Sequence, residues 1–404
     1  MVEVHGFVSP GFEGVRDAFA ANFETEPDAF NQMLGVDVNE VGSAVSVFRH
    51  GEPVVDLWAG VADRSTGRPY TSDTLQLVFS ASKGITAIAA NLLVERGLLD
   101  LDAKVTDYWP EFGQAGKGDV IVRWLLSHRV GVPWIDGEMT IAEVMSWTPV
   151  IDALEVQSPA WEPGTQHGYH ATTFGWLVGE LIRRVSGKSV GAFIQDELSI
   201  PLGLDLWIGL PDELHDRVAP LEVIEVPTDP VLAPMFEQFL GPTTPLGRAL
   251  YAPGNAWQEL QFASFNLPEV WRGEVPAANA ITNARSLAKL YAACVSEVEA
   301  ADGSRTRLFS PEHINEMNRQ QTDGVDHVVM DLDIQYGLGF HLPGSFLPLG
   351  GLKSFGHHGA GGSVGFADPD EELGFSYVMN RMFLGVTGDP RSGSLIDATY
   401  AALA

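Results

Sequence analysis

This sequence has a single cysteine, few basic residues and no long hydrophobic run. Cys294 alone excludes an intramolecular disulfide, and the apolar helical run around it predicts a small buried side chain. The sequence has 24 lysine and arginine residues and 53 acidic residues, which gives a formal net charge of −29. Because nucleic acids and anionic membranes are bound through clustered basic side chains, neither is expected as a partner.

Hydropathy patterning excludes two further classes of protein. The N-terminal residues do not combine a basic stretch with an apolar one, so no secretory signal is expected and a cytoplasmic location is predicted. The longest mostly apolar run, residues 85–94, is too short to span a bilayer. Hydrophobic residues make up 45% of the chain and charged residues 19%, which is typical of a folded protein with a substantial core.

Strand-like patterns lie near both ends of the chain, and helical patterns lie mostly between them. The runs 43–49 and 54–59 are rich in β-branched residues and predict a hairpin. Three later runs, 336–342, 363–367 and 374–379, predict further strands. The predicted helices are 11–23, 80–96, 172–185 and 395–403.

This order of elements predicts an α+β fold. We expect an antiparallel sheet, built from the N- and C-terminal segments and flanked by helices, with a mostly helical region inserted between them. The predicted domains are a discontinuous α/β domain of residues 1–100 and 275–404 and an inserted helical domain of residues 101–274. The cleft between these two units is the expected place for a functional site.

The motif Ser80-x-x-Lys83 opens the most apolar of the predicted helices. Three-residue spacing puts Ser80 and Lys83 on one helix face, and the helix N-terminus favours negative charge that develops at the hydroxyl. A lysine buried against an apolar wall loses its proton more readily and can activate a serine. The pair is therefore a candidate nucleophile and base.

Two other serine motifs compete with this one. Ser286 and Lys289 repeat the spacing, but a solvated face of an amphipathic helix is the simpler interpretation there. Ser363 lies in a Gly-x-Ser-x-Gly sequence, which matches the nucleophile elbow of other hydrolases. That elbow needs a helix after the serine, whereas Ser363 leads into a predicted strand, so we interpret it as structural.

Two further segments supply candidate functional groups. Tyr169 follows a Pro-Gly loop and could relay a proton, although a tyrosine packed beneath a turn is the alternative. The glycine-rich segment 356–362 would let a backbone N–H approach a ligand and, with that of Ser80, form an oxyanion hole. His357 and His358 flank this segment, and adjacent residues on an extended strand point to opposite faces, so no metal site is expected.

Together these motifs resemble those of the serine β-lactamase and penicillin-binding-protein superfamily. The resemblance is greatest to class C β-lactamase-like esterases, the family VIII carboxylesterases. Ser80-x-x-Lys83, Tyr169 after Trp-x-Pro-Gly-Thr, and a His-x-Gly strand at His357 occur in the family's order. The similarity runs from about residue 40 to the end, and it implies a β-lactamase/transpeptidase-like fold.

The resemblance also implies a role for each residue. Ser80 would be the acylated nucleophile, Lys83 its base or proton partner, and Tyr169 the proton shuttle. The backbone amides of Ser80 and Ala360 would hold the oxyanion. Whether lysine or tyrosine takes the first proton stays open, because the two groups titrate as a coupled pair.

Two departures from the family's pattern bear on the substrate. His357-His358-Gly359 occupies the place of the family's Lys-Thr-Gly motif, so that His357 replaces the lysine and Gly359 is the motif's glycine. Near neutral pH a histidine is a weaker cation than a lysine, and it is charged only when protonated. Ala171 stands two residues after the tyrosine, where β-lactamases have an asparagine that holds an amide side chain. Both departures favour an uncharged ester over a carboxylate-bearing lactam or a D-alanyl peptide.

The sequence therefore predicts a serine carboxylesterase that hydrolyses small, short-acyl esters through a Ser80 acyl-enzyme without a cofactor. The proline-rich, aromatic segment 231–271 predicts either a lid over the acyl pocket or a satellite core beneath a long loop. Three alternatives keep the fold: a β-lactamase or amide and peptide hydrolase, an acyl transferase, and a non-catalytic scaffold.

Overall fold

The computed structural model describes residues 2–24, 38–223, 232–254, 256–257, 261–344, 348–383 and 389–404. Its strands are β1 (Val4–Val8), β2 (Gly42–Arg49), β3 (Glu52–Asp63), β4 (Arg68–Pro69), β5 (Gln76–Leu77), β6 (Leu206–Trp207), β7 (Ile281–Thr282), β8 (Val298–Glu299), β9 (Arg305–Thr306), β10 (Phe355–His358), β11 (Val364–Asp368) and β12 (Leu373–Met379).

Most of the helices lie between β5 and β10. The α-helices are α1 (Glu13–Ala21), α2 (Ala81–Glu95), α3 (Val122–Leu126), α4 (Ile141–Met145), α5 (Thr148–Val156), α6 (Thr173–Ser186), α7 (Val190–Ile194), α8 (Ile200–Leu202), α9 (Leu232–Leu240), α10 (Pro245–Tyr251), α11 (Pro268–Arg272), α12 (Ala284–Val295), α13 (Pro311–Met317) and α14 (Pro390–Ala401). A π-helix spans Gln195–Ser199, and 3₁₀ turns span Val105–Asp107, Pro110–Gly113, Asp212–Arg217 and Gln261–Asn266.

The main sheet is antiparallel and joins the two ends of the chain. Its strand order is β1-β3-β2-β12-β11-β10, with β4 added to β3. At the junction, β12 pairs with β2, so that Phe375 lies opposite Val47 and Tyr377 opposite Val45. These four side chains are fully buried, and they make the junction part of the hydrophobic core. The predicted sheet, built from N- and C-terminal segments, is confirmed.

Most of the predicted elements are confirmed, with two exceptions. Residues 336–342 do not form a regular strand: Gly339 has a φ of +91°, and the segment folds back to give the isolated bridge between Tyr336 and His341. Strand β1 was not predicted, because its side chains are mostly exposed and Gly6 interrupts the pattern.

Cys294 is buried, as predicted. The division into domains at residues 100 and 274 stays a prediction.

Helices pack tightly on one face of the sheet. Residues 81–93 of α2 are all buried, and this helix packs against α6. Helix α12 lies directly on β11 and β12, because glycines leave room for it: a Cβ at Gly374 would lie 2.3 Å from the Ala288 carbonyl oxygen. The N-terminus of α2, and with it Ser80, is therefore held inside the molecule between the sheet and α6. None of the helices within the described ranges is long and apolar enough to cross a membrane.

Candidate active site

Ser80 precedes α2 and follows a strained turn. Phe79 has a φ of +44°, in the left-handed region that a bulky side chain rarely adopts. Its buried ring packs edge-on against Phe262 and Phe265, with ring centroids 5.5 and 5.0 Å away. This packing stabilises the sharp turn, which leaves Ser80 half-buried at the start of the helix. Its backbone N–H has no hydrogen-bond acceptor among the described residues.

Lys83 is fully buried, and its Nζ lies 3.0 Å from the Ser80 Oγ. The Nζ also lies 2.6 Å from the Ala171 carbonyl oxygen and 3.0 Å from that of Ala277. Burial holds the pKa of Lys83 well below its usual range. A neutral amine has two N–H donors and one lone pair. The two carbonyls can therefore take both donors, which leaves the lone pair to accept the proton of the Ser80 hydroxyl.

Tyr169 lies beside this pair. The Nζ of Lys83 is 4.8 Å from the centroid of its ring. Burial raises the pKa of Tyr169 above its usual value, and the nearby Ser80 side chain opposes that rise only in part. Tyr169 is therefore a protonated phenol beside the serine. The structure brings together all three residues that the sequence proposed as nucleophile, base and shuttle.

A buried carboxylate that sequence reasoning missed holds the backbone of Tyr169. The Asp326 Oδ1 accepts the N–H of Tyr169 at 3.1 Å and those of Val328 and Val329 at 2.8 Å each. Its Oδ2 accepts the Tyr336 hydroxyl at 2.8 Å. Asp326 is fully buried and lies 157 residues from Tyr169 along the chain. Only the fold brings them together, so no local signal marked this aspartate.

Two buried histidines fix the segment that carries Tyr169. The His170 Nδ1 donates to the Gly168 carbonyl at 2.7 Å, and its Nε2 accepts the Val132 N–H at 2.9 Å. The His128 Nδ1 accepts the N–H of His170 at 3.0 Å. Burial lowers the pKa of both rings, that of His170 to about 3, so both stay neutral. Within the part of the chain described, no three metal-ligating side chains gather into a metal site.

The end of β10 touches the turn before Ser80. The Ser363 Oγ donates to the Val78 carbonyl at 2.8 Å, and a Cβ at Gly359 would lie only 2.1 Å from the same oxygen. The two backbones approach this closely because Gly359 has no side chain. The N–H of Ala360 has no acceptor among the described residues, like that of Ser80. Ser363 is fully buried and precedes a strand, which agrees with its interpretation as structural.

The second Ser-x-x-Lys motif has a different environment from the one expected. Ser286 is buried, and its hydroxyl accepts the N–H of Asp205 at 2.9 Å. The Lys289 Nζ donates to the Leu202 carbonyl at 2.7 Å. The expected solvated face is therefore wrong for Ser286, because α12 packs against the segment before β6. The two side chains bind different backbone groups and form no reactive pair.

His357 is buried and uncharged, which corrects the expectation of a conditional cation. Its Nδ1 lies 2.6 Å from the His358 carbonyl oxygen, which assigns the ring proton to Nδ1. The ring stacks on His341, with centroids 3.8 Å apart, and lies 6.0 Å from the Tyr169 ring. Burial, followed by neighbouring His341 and Lys83, holds the pKa of His357 well below its usual range. Its Nε2 is a buried acceptor without a hydrogen-bond partner among the described residues.

Comparison with known proteins identifies the family of this chain. Residues 22–398 match the family described as Beta-lactamase. The chain is 34% identical over 385 residues to the esterase/β-lactamase LipL of Mycobacterium tuberculosis. This alignment covers 94% of this chain and 83% of LipL.

Solved structures give the same answer over the full length. A family VIII carboxylesterase superposes with a TM-score of 0.84 at 36% identity, covering 99% of this chain and 100% of that one. A penicillin-binding-protein homologue from Caulobacter crescentus superposes with a TM-score of 0.83 at 34% identity and the same coverage. The resemblance seen in the sequence is confirmed: this chain belongs to the β-lactamase family of serine hydrolases.

Proposed function

We propose that this protein is a serine carboxylesterase that forms an acyl-enzyme at Ser80 and hydrolyses it with water. The observation that carries the proposal is the environment of Lys83. Its polar contacts within the described structure are two backbone carbonyls and the Ser80 hydroxyl, and all three lie within 3.0 Å of the Nζ. Burial lowers the pKa of this lysine and so favours its neutral form, and the Nζ is aimed at the serine, as a general base must be.

The reaction then follows from the positions of the three groups. Lys83 takes the hydroxyl proton while the Ser80 Oγ attacks the ester carbonyl, and the N–H groups of Ser80 and Ala360 donate to the oxyanion. Tyr169 gives its proton to the departing alkoxide as the C–O bond breaks, and it regains a proton from Lys83. Water repeats the sequence on the acyl-enzyme. The opposite pKa shifts of Lys83 and Tyr169 support lysine as the first base.

The surroundings of the site support an uncharged substrate. His357 is neutral and offers a lone pair, so it gives a substrate carboxylate no attraction. Ala171 is buried in an apolar cluster with Val328 and Val329, and its methyl group offers no hydrogen bond to an amide side chain of a peptide or lactam. The family VIII carboxylesterase is named for ester hydrolysis alone and supports this choice, whereas LipL is named as both an esterase and a β-lactamase.

An apolar cavity near Ser80 supports an apolar acyl group. Its volume is about 40 Å³, and Phe262 and Phe265 on its wall also contact the Phe79 ring that precedes Ser80. The lining residues are Phe236, Leu240, Leu250, Tyr251, Trp257, Phe262 and Phe265. All lie within residues 231–271, so the cavity supports the acyl-pocket interpretation of that segment. We assign the acyl chain of the ester to it.

A substrate series tests this function. We expect p-nitrophenyl acetate, butyrate and octanoate to be hydrolysed with kcat/KM at least tenfold above that for a chromogenic cephalosporin, about the smallest discrimination that one changed contact in an apolar pocket gives. Leu250→Trp narrows the cavity and should lower kcat/KM for octanoate more than for acetate. Leu352→Trp, at a side chain that is 95% exposed, is the matched control and should change neither.

Two outcomes would contradict the proposal. Faster turnover of the cephalosporin than of all three esters would make the protein a β-lactamase. If folded Leu250→Trp lowers kcat/KM equally for acetate and octanoate, the cavity does not hold the acyl chain. That result would overturn the pocket assignment but not the esterase activity.

A further inference from the structure

A buried arginine outside the proposed reactive groups holds the turn that follows β10. Arg391, near the start of α14, is only 2% exposed. Its Nη2 donates to the Gly361 carbonyl at 3.1 Å and to the Arg381 carbonyl at 3.0 Å. The Gly361 oxygen also accepts the N–H of Phe383 at 2.9 Å. The carbonyl of one turn residue is therefore fixed from two directions.

The same turn presents the Ala360 amide. The Gly362 N–H donates to the Gly359 carbonyl at 3.1 Å, so Ala360 and Gly361 are the two central residues of a β-turn. Gly361 has a φ of +86°, the value that the third position of a type II turn requires. Three of the four turn residues are glycines, whose backbone has wide conformational freedom. Such a turn needs an external anchor if its Ala360 N–H is to keep one position.

Arg391 is itself held rigidly. Its Nε lies 3.1 and 2.9 Å from the two carboxylate oxygens of Asp389, and its Nη2 lies 2.6 Å from the Asp389 Oδ2. Asp389 fits against the turn, since a Cβ at Gly362 would lie 2.0 Å from its Oδ2. The Nη1 lies 3.3 Å from Glu40, which also accepts the hydroxyl of Tyr377. A two-point contact between guanidinium and carboxylate fixes direction as well as distance.

We propose that Arg391, held by Asp389, is a positioning residue that sets the Ala360 amide in the oxyanion hole. The inference rests on the proposed function, because it needs an acyl transfer at Ser80. An oxyanion donor must lie 2.7–3.1 Å from the developing charge, and loss of one such donor costs about 10²–10³-fold in kcat. The arginine touches no reacting atom, and it acts through the Gly361 carbonyl one residue away.

Arg391→Lys and Asp389→Asn test this role with p-nitrophenyl butyrate and with butylboronic acid. The boronic acid accepts the Ser80 Oγ on boron, the serine proton passes to Lys83, and the tetrahedral anion needs the same two amides as the oxyanion. For Arg391→Lys we expect kcat to fall about 10- to 100-fold and the boronate inhibition constant to rise by a similar factor, with KM within twofold. Asp389→Asn should give a smaller change in the same direction.

Thr399→Val is the matched control. It removes a buried hydroxyl of α14 that donates to the Leu395 carbonyl and contacts neither Arg391 nor the turn, so it should lower the melting temperature and leave kcat and boronate affinity unchanged. All variants are compared at a temperature at which circular dichroism shows them folded. If folded Arg391→Lys and Asp389→Asn keep wild-type kcat and boronate affinity, or if Thr399→Val loses as much as they do, the positioning role is wrong. Ser80→Ala separates the two proposals: wild-type turnover in that variant would overturn the esterase mechanism itself.

Discussion

Among single residues, the proposed chemistry depends on two groups whose pKa values move in opposite directions for the same reason. Burial disfavours the charged form of each, so it lowers the pKa of Lys83 and raises that of Tyr169. The amine can therefore take a proton, and the phenol stays protonated and can give its proton only to a strong base such as a departing alkoxide. Lys83 contacts the Ser80 hydroxyl and Tyr169 lies beside it, so a base and an acid flank the serine before any substrate binds.

Lys83→Arg separates proton transfer from positive charge. A guanidinium does not lose its proton in a protein, so the variant cannot act as the first base. We expect kcat with p-nitrophenyl butyrate to fall by about 10²–10⁴-fold, the usual contribution of general base catalysis. Lys83→Met removes the amine without adding a charge to the buried site, and it should lower kcat by a similar factor. Activity of Lys83→Arg within tenfold of wild type would show that another group takes the proton.

At the level of helices and strands, local sequence patterns predicted most of the elements that the structure contains. The hairpin of β2 and β3 and the buried helix after Ser80 follow from alternation and helical spacing, which need no distant partner. Residues 336–342 alternate in the same way, but Gly339 turns the chain back, and an apolar run does not reveal that turn. The position of Asp326 beneath Tyr169 depends on contacts 157 residues apart, which no local window contains.

The charge of His357 was mispredicted for a related reason. Its residue type gives an ordinary pKa near neutrality, whereas its protonation state depends on burial and on the ring of His341 stacked against it. The reactive motif could be read from the sequence, because Ser80 and Lys83 are neighbours on one helix. The groups that position it could not, because they come from other parts of the chain.

Gly374→Ala tests how α12 packs on the sheet. The added Cβ would lie 2.3 Å from the Ala288 carbonyl oxygen and 2.4 Å from the Ala292 nitrogen, so helix and strand must separate. We expect the free energy of unfolding to fall by about 1–3 kcal/mol in urea titrations. Gly393→Ala is the matched control, since it lies within α14 with no atom within 4 Å of the new Cβ, and it should raise stability by about 0.5–1 kcal/mol. Equal effects of the two substitutions would contradict this packing.

For the molecule as a whole, the buried histidines make stability depend on pH. Burial lowers the folded-state pKa of six of them below the ordinary value near 6.5: His128, His167, His170, His341, His357 and His358. Below pH 6.5 the unfolded chain therefore binds more protons than the folded one, so stability falls as pH falls. Glu40 acts in the opposite direction, because burial raises its pKa from 4.5 to about 8 and its protonated form favours folding at lower pH.

Urea unfolding at pH 7 and pH 5 measures this balance. Each histidine that stays neutral in the folded state lowers the free energy of unfolding by about 2 kcal/mol as the pH falls from 6.5 to 5. The free energy of unfolding should therefore be lower by several kcal/mol at pH 5 than at pH 7. Glu40→Gln removes the opposing contribution and should make that loss larger by about 2–3 kcal/mol. Equal stability of the wild-type protein at the two pH values would show that these histidines become protonated in the folded state.

The measurement that decides the mechanism is the intact mass of the protein after brief mixing with p-nitrophenyl butyrate, with p-nitrophenol release followed in parallel. We expect an added butyryl mass that maps to Ser80, with both the mass and the turnover lost in Ser80→Ala. Ser363→Ala, at the serine of the competing motif, should still become acylated at Ser80. Full turnover in Ser80→Ala together with its loss in Ser363→Ala would contradict the assignment of Ser80 as the nucleophile.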